Sequence, residues 1–372
     1  MIFKKFFQIS IFLLSLASIP LAAEGATLYF TPQSQTIFQG DSFIIDVKID
    51  TEGEEINAAG IDLTFSMNLL EVIDFSKGNS ILTLWPKEPE AQKGNINFLG
   101  GAPIGFDGDG LLTKIIFLAK EIGNSKINFK DSSKVLLNDG KGTPAEISFR
   151  EGNYEIIKRP EDLPIVSSQS HPDQNQWYNA TTLRLHWDLI EGAEYSYLLS
   201  FNPLAEPDEV PDKPEGKLIW MGDMKYEGLA DGIYYFSLKQ RLLDEDWSQT
   251  ITYRAMIDTI LPEPFELKIG REPSIFEGKY FLSFTTEDNT SGIDYYEVKE
   301  GKGNWQKVST PYLLKSQSLT KKITVRAYDK AGNYREAEIK PSLKMNWKNG
   351  LYLVLILIGI GVIWRFLKKI KK

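Results

Sequence analysis

The chain of 372 residues contains no cysteine and only two histidines, His171 and His186. Without thiols there is no disulfide framework, no thiolate metal site and no cysteine nucleophile, so the chain must hold together by burying apolar cores. No HExxH, GxSxG or GxxxxGK(S/T) pattern occurs, which sets aside metal hydrolases, serine hydrolases and P-loop enzymes. A total of 50 acidic residues always supplies some carboxylate pair by chance, and abundance marks no catalytic pair. No catalytic residue is nominated, and a non-enzymatic protein is expected.

Long apolar runs are also scarce, and one lies at each end. Lys4 and Lys5 precede the stretch Phe6 to Leu16, and small residues follow through Ala22, Ala23 and Gly25; residues 1–25 read as a secretory signal peptide. Near the other end, Gly350 to Trp364 is uncharged and is followed by Arg365, Lys368, Lys369, Lys371 and Lys372. At about 1.5 Å per residue that run covers roughly 22 Å of a hydrocarbon core of about 30 Å. Trp347 and Trp364 can sit at the two interfaces while Lys348 and Arg365 snorkel, so a transmembrane helix is expected over 350–367 with a cytoplasmic basic tail at 368–372. Both signals place the body outside the cytoplasm, on a single-pass membrane anchor.

The chain carries 42 basic and 50 acidic residues, a formal charge of −8. Several of the basic residues lie in the two terminal segments, so the body between them is more acidic still. Such a surface repels phosphate backbones, excluding nucleic acid as a partner, and favours solubility or the collection of cations.

Prolines divide the body. Pro160 and Pro164 lie in KRPEDLP, and Pro262 and Pro264 in TILPEPF; these connectors separate segments at about 26–158, 164–259 and 262–341. The first alternates with a period of two: Ile44, Asp46 and Lys48 against Ile45, Val47 and Ile49, then Ile61, Leu63 and Phe65 against Asp62 and Thr64. The same period recurs at Ile96 to Phe98, Thr113 to Ala119 and Lys126 to Phe129, with glycine turns between. Many short strands joined by such turns predict an all-β sandwich.

The ordered set Gly40-Asp41-Ser42-Phe43, Ile56 to Phe65, Leu70-Glu71-Val72, Gly94 to Gly101, Gly108 to Phe117 and Ser133 to Gly140 resembles the cohesin domains. That resemblance implies a nine-stranded jelly-roll sandwich over 26–158 that binds a dockerin-bearing protein, an architecture shared with carbohydrate-binding modules. Ser66-Met67-Asn68 replaces the Asp-Pro pair usual after the third-strand aromatic, which leaves the subtype open. The two later segments end alike: Ile233 to Lys239 leads to a turn and Ile251 to Ala255, and Ile323 to Tyr328 leads to Asp329-Lys330-Ala331-Gly332-Asn333. They resemble bacterial immunoglobulin-like or fibronectin type III-like domains, with Trp187 as an early-strand core aromatic.

If the cohesin partner sheet is used here, the outward positions Asp62, Thr64 and Asn97 belong to it. Trp85 is the candidate for a glycan-binding alternative, with Trp177-Tyr178 and Trp220 as further aromatics that serve equally well as core. Asp107 and Asp109 in Asp107-Gly108-Asp109-Gly110 are candidate calcium ligands, although a glycine turn between strands is the favoured reading. In Asp329 to Asn333 the side chains are expected to bond their own backbone and fix a hairpin. The expected whole is a membrane-anchored cell-surface protein for adhesion or docking. Its distal sandwich recognises an extracellular protein partner, or alternatively a glycan, from an immunoglobulin-like stalk.

Overall fold

The computed structural model describes residues 25–212, 222–242, 245–341 and 358. The expected signal peptide, transmembrane helix and basic tail lie outside these, as does Trp220; among the described residues no helix is long and apolar enough to cross a membrane. Between residues 25 and 341 what is described is all-β, with a 3-10 turn at Phe276–Gly278.

The first body contains twelve strand segments: β1 (Ala26–Thr31), β2 (Ser34–Phe38), β3 (Ser42–Asp50), β4 (Ile56–Phe65), β5 (Leu70–Ser76), β6 (Leu84–Gln92), β7 (Asn95–Phe106), β8 (Asp109–Ala119), β9 (Gly123–Phe129), β10 (Lys134–Leu137), β11 (Ile147–Phe149) and β12 (Gly152–Ile157). One sheet runs β11-β1-β3-β8-β5 and the other β2-β12-β9-β4-β7-β6, with β10 beside β4. The count exceeds the nine that the resemblance implies. Part of the excess arises where Pro32 and Gln33 interrupt one extended run and carry it from the first sheet (β1) to the second (β2), since proline cannot donate to a ladder. Parallel pairing of β1 with β11 and of β2 with β12 closes the sandwich. Between β6 and β7 the chain reverses on Lys93 (φ 51°) and Gly94 (φ 75°), the two positive φ values of a type I′ turn, which matches strand twist.

Alternation fills the gap between the sheets. Ile45, Val47 and Ile49 from one side meet Ile61 and Leu63 from the other, all essentially inaccessible. Phe30, Phe129 and Phe149 stack in series with ring centroids 4.5 and 5.6 Å apart.

The second body has sheets β13 (Ser167–Ser168), β15 (Leu183–His186), β17 (Asp223–Tyr226) and β14 (Trp177–Tyr178), β19 (Ile251–Ile257), β18 (Gly232–Arg241), β16 (Glu194–Ser200). Trp187 is 1 % exposed and packs on Phe236 at its centre. The third has β20 (Lys268–Gly270), β21 (Phe281–Ser283), β24 (Tyr312–Leu313) facing β23 (Gln306–Val308), β22 (Ile293–Glu300), β25 (Ile323–Asp329), β26 (Tyr334–Ile339), around Leu282, Phe284, Val298 and Val325.

The bodies are not strung out on bare connectors. Phe38 of the first and Leu163 of the connector join the core of the second. Ile44 and Ile116, paired across β3 and β8 on the outer side of their sheet, are buried against Trp177 and Met256 of the second body, with Ala331 of the third beside them. Lys330 of the third donates to Asp74 Oδ2 at 2.5 Å and to Phe75 O at 2.6 Å of the first. A stalk holding the first sandwich at a distance is therefore corrected to three bodies packed on one another, because the outward apolar residues of β3 and β8 are covered by the other two.

Candidate functional site

The face of β4 that points away from the core is built from alternation and register. Ile61 and Leu63 are buried, while Asp62 between them and Thr64 after them are half-buried on the opposite side. Register pairs Asp62 with Asn97 of β7, and Thr64 with Asn95, so Asp62, Thr64 and Asn97 share one continuous surface. Asp62 is already engaged: its Oδ2 accepts from Ser132 Oγ at 2.7 Å and its backbone N–H donates to Ser133 Oγ at 3.0 Å. Asn97 Oδ1 is buried with no hydrogen-bond partner among the described residues.

Beside them the surface dips into a hollow of about 270 Å³ lined by Ala58, Gly60, Leu99 and Leu136, with Lys87, Lys134 and Asp62 also on its lining. Gly60 keeps the floor low, since a Cβ there would stand 3.4 Å from Leu99 Cδ1. Leu99 is 42 % exposed. A small apolar depression bordered by both signs of charge suits a protein surface better than a small polar ligand. The sequence marked the outward residues of β4 and β7; the hollow needed the pairing of β10 with β4, which brings Leu136 opposite Ala58.

Trp85 is half-buried, with its ring 6.0 Å from that of Phe98 and Lys77 Nζ 5.4 Å from its centroid; both partners occupy indole that a sugar ring would need. Trp177 is buried in the seam between bodies. Asp107 Oδ1 accepts from Thr51 Oγ1 at 2.7 Å, and Asp109 accepts from Tyr29 and Lys48 at 2.6 and 2.9 Å. Desolvation raises the Asp109 carboxyl, and the hydrogen bonds from Lys48 and Tyr29 together with the Lys48 charge outweigh it and hold the group below its ordinary value. These two carboxylates are thus spoken for by different protein partners around the glycine turn. The histidines also part company: His171 Nδ1 meets Ser170 Oγ at 2.9 Å, and His186 Nδ1 meets Asp223 Oδ1 at 2.8 Å.

One constellation escaped sequence reasoning. Asp258, just after β19, Asp288, in the loop before β22, and Asp329, closing β25, bring carboxylate oxygens within 4.8 Å of one another. Asp329 does bond its own turn, accepting from Ala331 N at 2.9 Å and Asn333 N at 2.8 Å. Its two neighbours are far away in sequence, and the only local signal was that each stands at the edge of a strand or turn.

The chain matches no protein-family profile and no curated protein sequence. Similar solved structures include a non-cellulosomal cohesin from the archaeon Archaeoglobus fulgidus, at 19 % identity over 37 % of this chain and 94 % of that one, TM-score 0.31. Another is the third ScaB cohesin of R. flavefaciens in complex with a group 1 dockerin, at 11 % identity over 38 % of this chain and 100 % of that one, TM-score 0.31. The N-terminal four Ig domains of Dscam1 match at 10 % identity over 85 % of this chain and 72 % of that one, TM-score 0.21. Likeness at these TM-scores is no argument for what this chain binds.

Proposed function

We propose that this chain is a docking or adhesion protein, exported by residues 1–25 and held in a membrane by 350–367, whose first sandwich engages an extracellular protein partner on the outer face of β4 and β7. One observation carries the reading: the two outer faces of that sandwich are used differently. Ile44 and Ile116 on the β3–β8 face are covered by the second and third bodies, whereas the hollow around Ala58, Gly60, Leu99 and Leu136 opens to solvent. The ordered sequence resemblance to cohesins makes dockerin-type modules the first partners to test. A glycan reading through Trp85 gains nothing from its contacts with Phe98 and Lys77.

The test uses the full chain, immobilised, against purified dockerin modules and secreted proteins of the same organism. Ala58→Arg with Leu99→Asp fills and charges the hollow without touching the core. Capture of a partner should weaken by about 30-fold or more, as loss of a central anchor does, with Tm almost unchanged. Unaltered capture by this variant, or polysaccharide retention abolished by Trp85→Ala, would replace the proposal.

A further inference from the structure

The three aspartates come from separate parts of the chain and end up 0 %, 6 % and 1 % exposed for Asp258, Asp288 and Asp329. Their hydrogen bonds are nearly all to backbone N–H groups. Asp258 Oδ1 accepts from Ile260 N at 2.9 Å and Oδ2 from Ser291 N at 3.2 Å. Asp288 Oδ1 accepts from Thr290 N, Ser291 N and Gly292 N at 3.1, 2.9 and 2.9 Å, and weakly from Ser291 Oγ at 3.4 Å. Asp329 Oδ2 takes Asn333 Nδ2 at 2.8 Å, and that same amide reaches Asp258 O at 2.9 Å.

Two features separate this cluster from an ordinary set of capped turns. Asp288 Oδ2 is buried and has no hydrogen-bond partner among the described residues. Moreover, no lysine or arginine among the described residues pairs with any of the three; Lys330, the nearest in sequence, turns away to Asp74. Buried carboxylates at this separation repel one another and have lost their water, a cost that only a proton or a cation removes. Desolvation first, then the charges of Asp258 and Asp288, raise Asp329 to about 6 against the bonds from Asn333 that lower it.

We propose that Asp258, Asp288 and Asp329 bind a calcium ion that fastens the connector between the second and third bodies. Oxygen donors alone select a hard cation over zinc or copper. Magnesium keeps several waters and demands near-octahedral geometry, whereas calcium accepts irregular carboxylate sets and sheds water more readily, as this buried site requires. The ion reaches further than its ligands. Asp258 starts the connector, the Asp288 loop carries Thr290, whose carbonyl oxygen lies where a Cβ on Gly78 of the first body would be, and Asp329 precedes the Lys330 that grips Asp74. Drawing the three carboxylates together tightens the junction of all three bodies. The inference is independent of the docking face.

The experiment takes the full chain, strips it with EDTA, and adds calcium chloride alone under calorimetry and thermal unfolding. Expected are saturable binding and a rise in Tm of about 5–10 °C at calcium roughly a hundredfold above Kd, with slower proteolysis at 258–264 and a smaller effect of magnesium. Asp288→Asn keeps an acceptor for the three backbone N–H groups but removes the charge, and should weaken calcium binding by about 10-fold or more. Asp107→Asn with Asp109→Asn should leave it unchanged. Absence of calcium binding by the wild type at about 10 mM, or Tm and proteolysis indifferent to EDTA, would overturn the site even if Asp288→Asn failed to fold. Equal affinity of a folded Asp288→Asn variant, or loss of binding in the Asp107/Asp109 variant, would do the same.

Discussion

Arg254 Nη2 donates to Ser42 Oγ at 3.0 Å, across the seam between the second body and the first. Arg254 is 2 % exposed, and its guanidinium spends its other donors on Ser42 O at 3.3 Å, Gln174 O at 2.8 Å and Asn175 Oδ1 at 2.5 Å. Burial pulls its pKa down, and Tyr235, Asp173 and Asp41 push it back up. One planar fork thus fixes the position of β3 against the turn before β14, a geometry that an ammonium cannot reproduce.

Replacing Arg254 with Met should therefore destabilise the full chain by about 2–4 kcal/mol, the usual scale for losing several buried charge-assisted hydrogen bonds. Arg254→Lys should recover less than half. Urea unfolding of the two variants and the wild type measures this, and a loss under about 0.5 kcal/mol would mean that the seam is closed by apolar contact alone.

Ile44 and Ile116 supply that apolar contact. They are 6 % and 2 % exposed in the whole chain, yet they point out of their own sandwich, so cutting the chain at 158 uncovers both, together with Phe38 from the core of the second body. The fragment 26–158 should self-associate in light scattering, and Ile44→Thr with Ile116→Thr, which keeps β-branched residues on the strands, should return it toward monomer. A wild-type fragment that stays monomeric and melts where the full chain melts would show that the seam adds nothing to stability.

These residues also show where sequence reading stops. Period-two alternation located Ile61 and Leu63 on the core side of β4 and Asp62 and Thr64 on the other, because one sheet face always packs and the residue types differ sharply. The same period put Ile44 outward with Asp46 and Lys48 but gave no reason to suspect a cover. An apolar residue facing a neighbouring body looks, in a single strand, like a tolerated surface isoleucine. The signal lay in the unbroken Phe43-Ile44-Ile45 and Ile115-Ile116-Phe117-Leu118 runs, which mark strands covered on both faces. The aspartate cluster was less legible still. Asp329 alone read as a turn residue bonding its own backbone; in the structure Asp258 and Asp288 also bond local backbone N–H groups, and only the packing of a connector on two loops turns three local caps into one site.

His171 provides a test by pH. Its ring is fully buried and lies edge-on to Tyr178, 4.8 Å between centroids, while its carbonyl accepts from Tyr253 OH at 2.6 Å. Burial lowers its pKa, and the backbone of Ala180 offsets part of that. With the folded value below the unfolded one of about 6.5, the unfolded chain binds the proton more tightly. The stability linked to a neutral His171 is then complete above about pH 6.5 and is lost as the pH falls from there toward the folded pKa, at no more than about 1.4 kcal/mol per unit. Glutamine at 171 is polar but does not titrate, so the difference between wild type and His171→Gln should be flat from about pH 8 to 7 and then shrink as the solution is acidified. Chemical unfolding at matched pH values measures that difference directly, free of the other carboxylates that both proteins share. A difference that stayed constant down to about pH 5, or grew on acidification, would show that His171 takes up its proton in the folded chain at no cost.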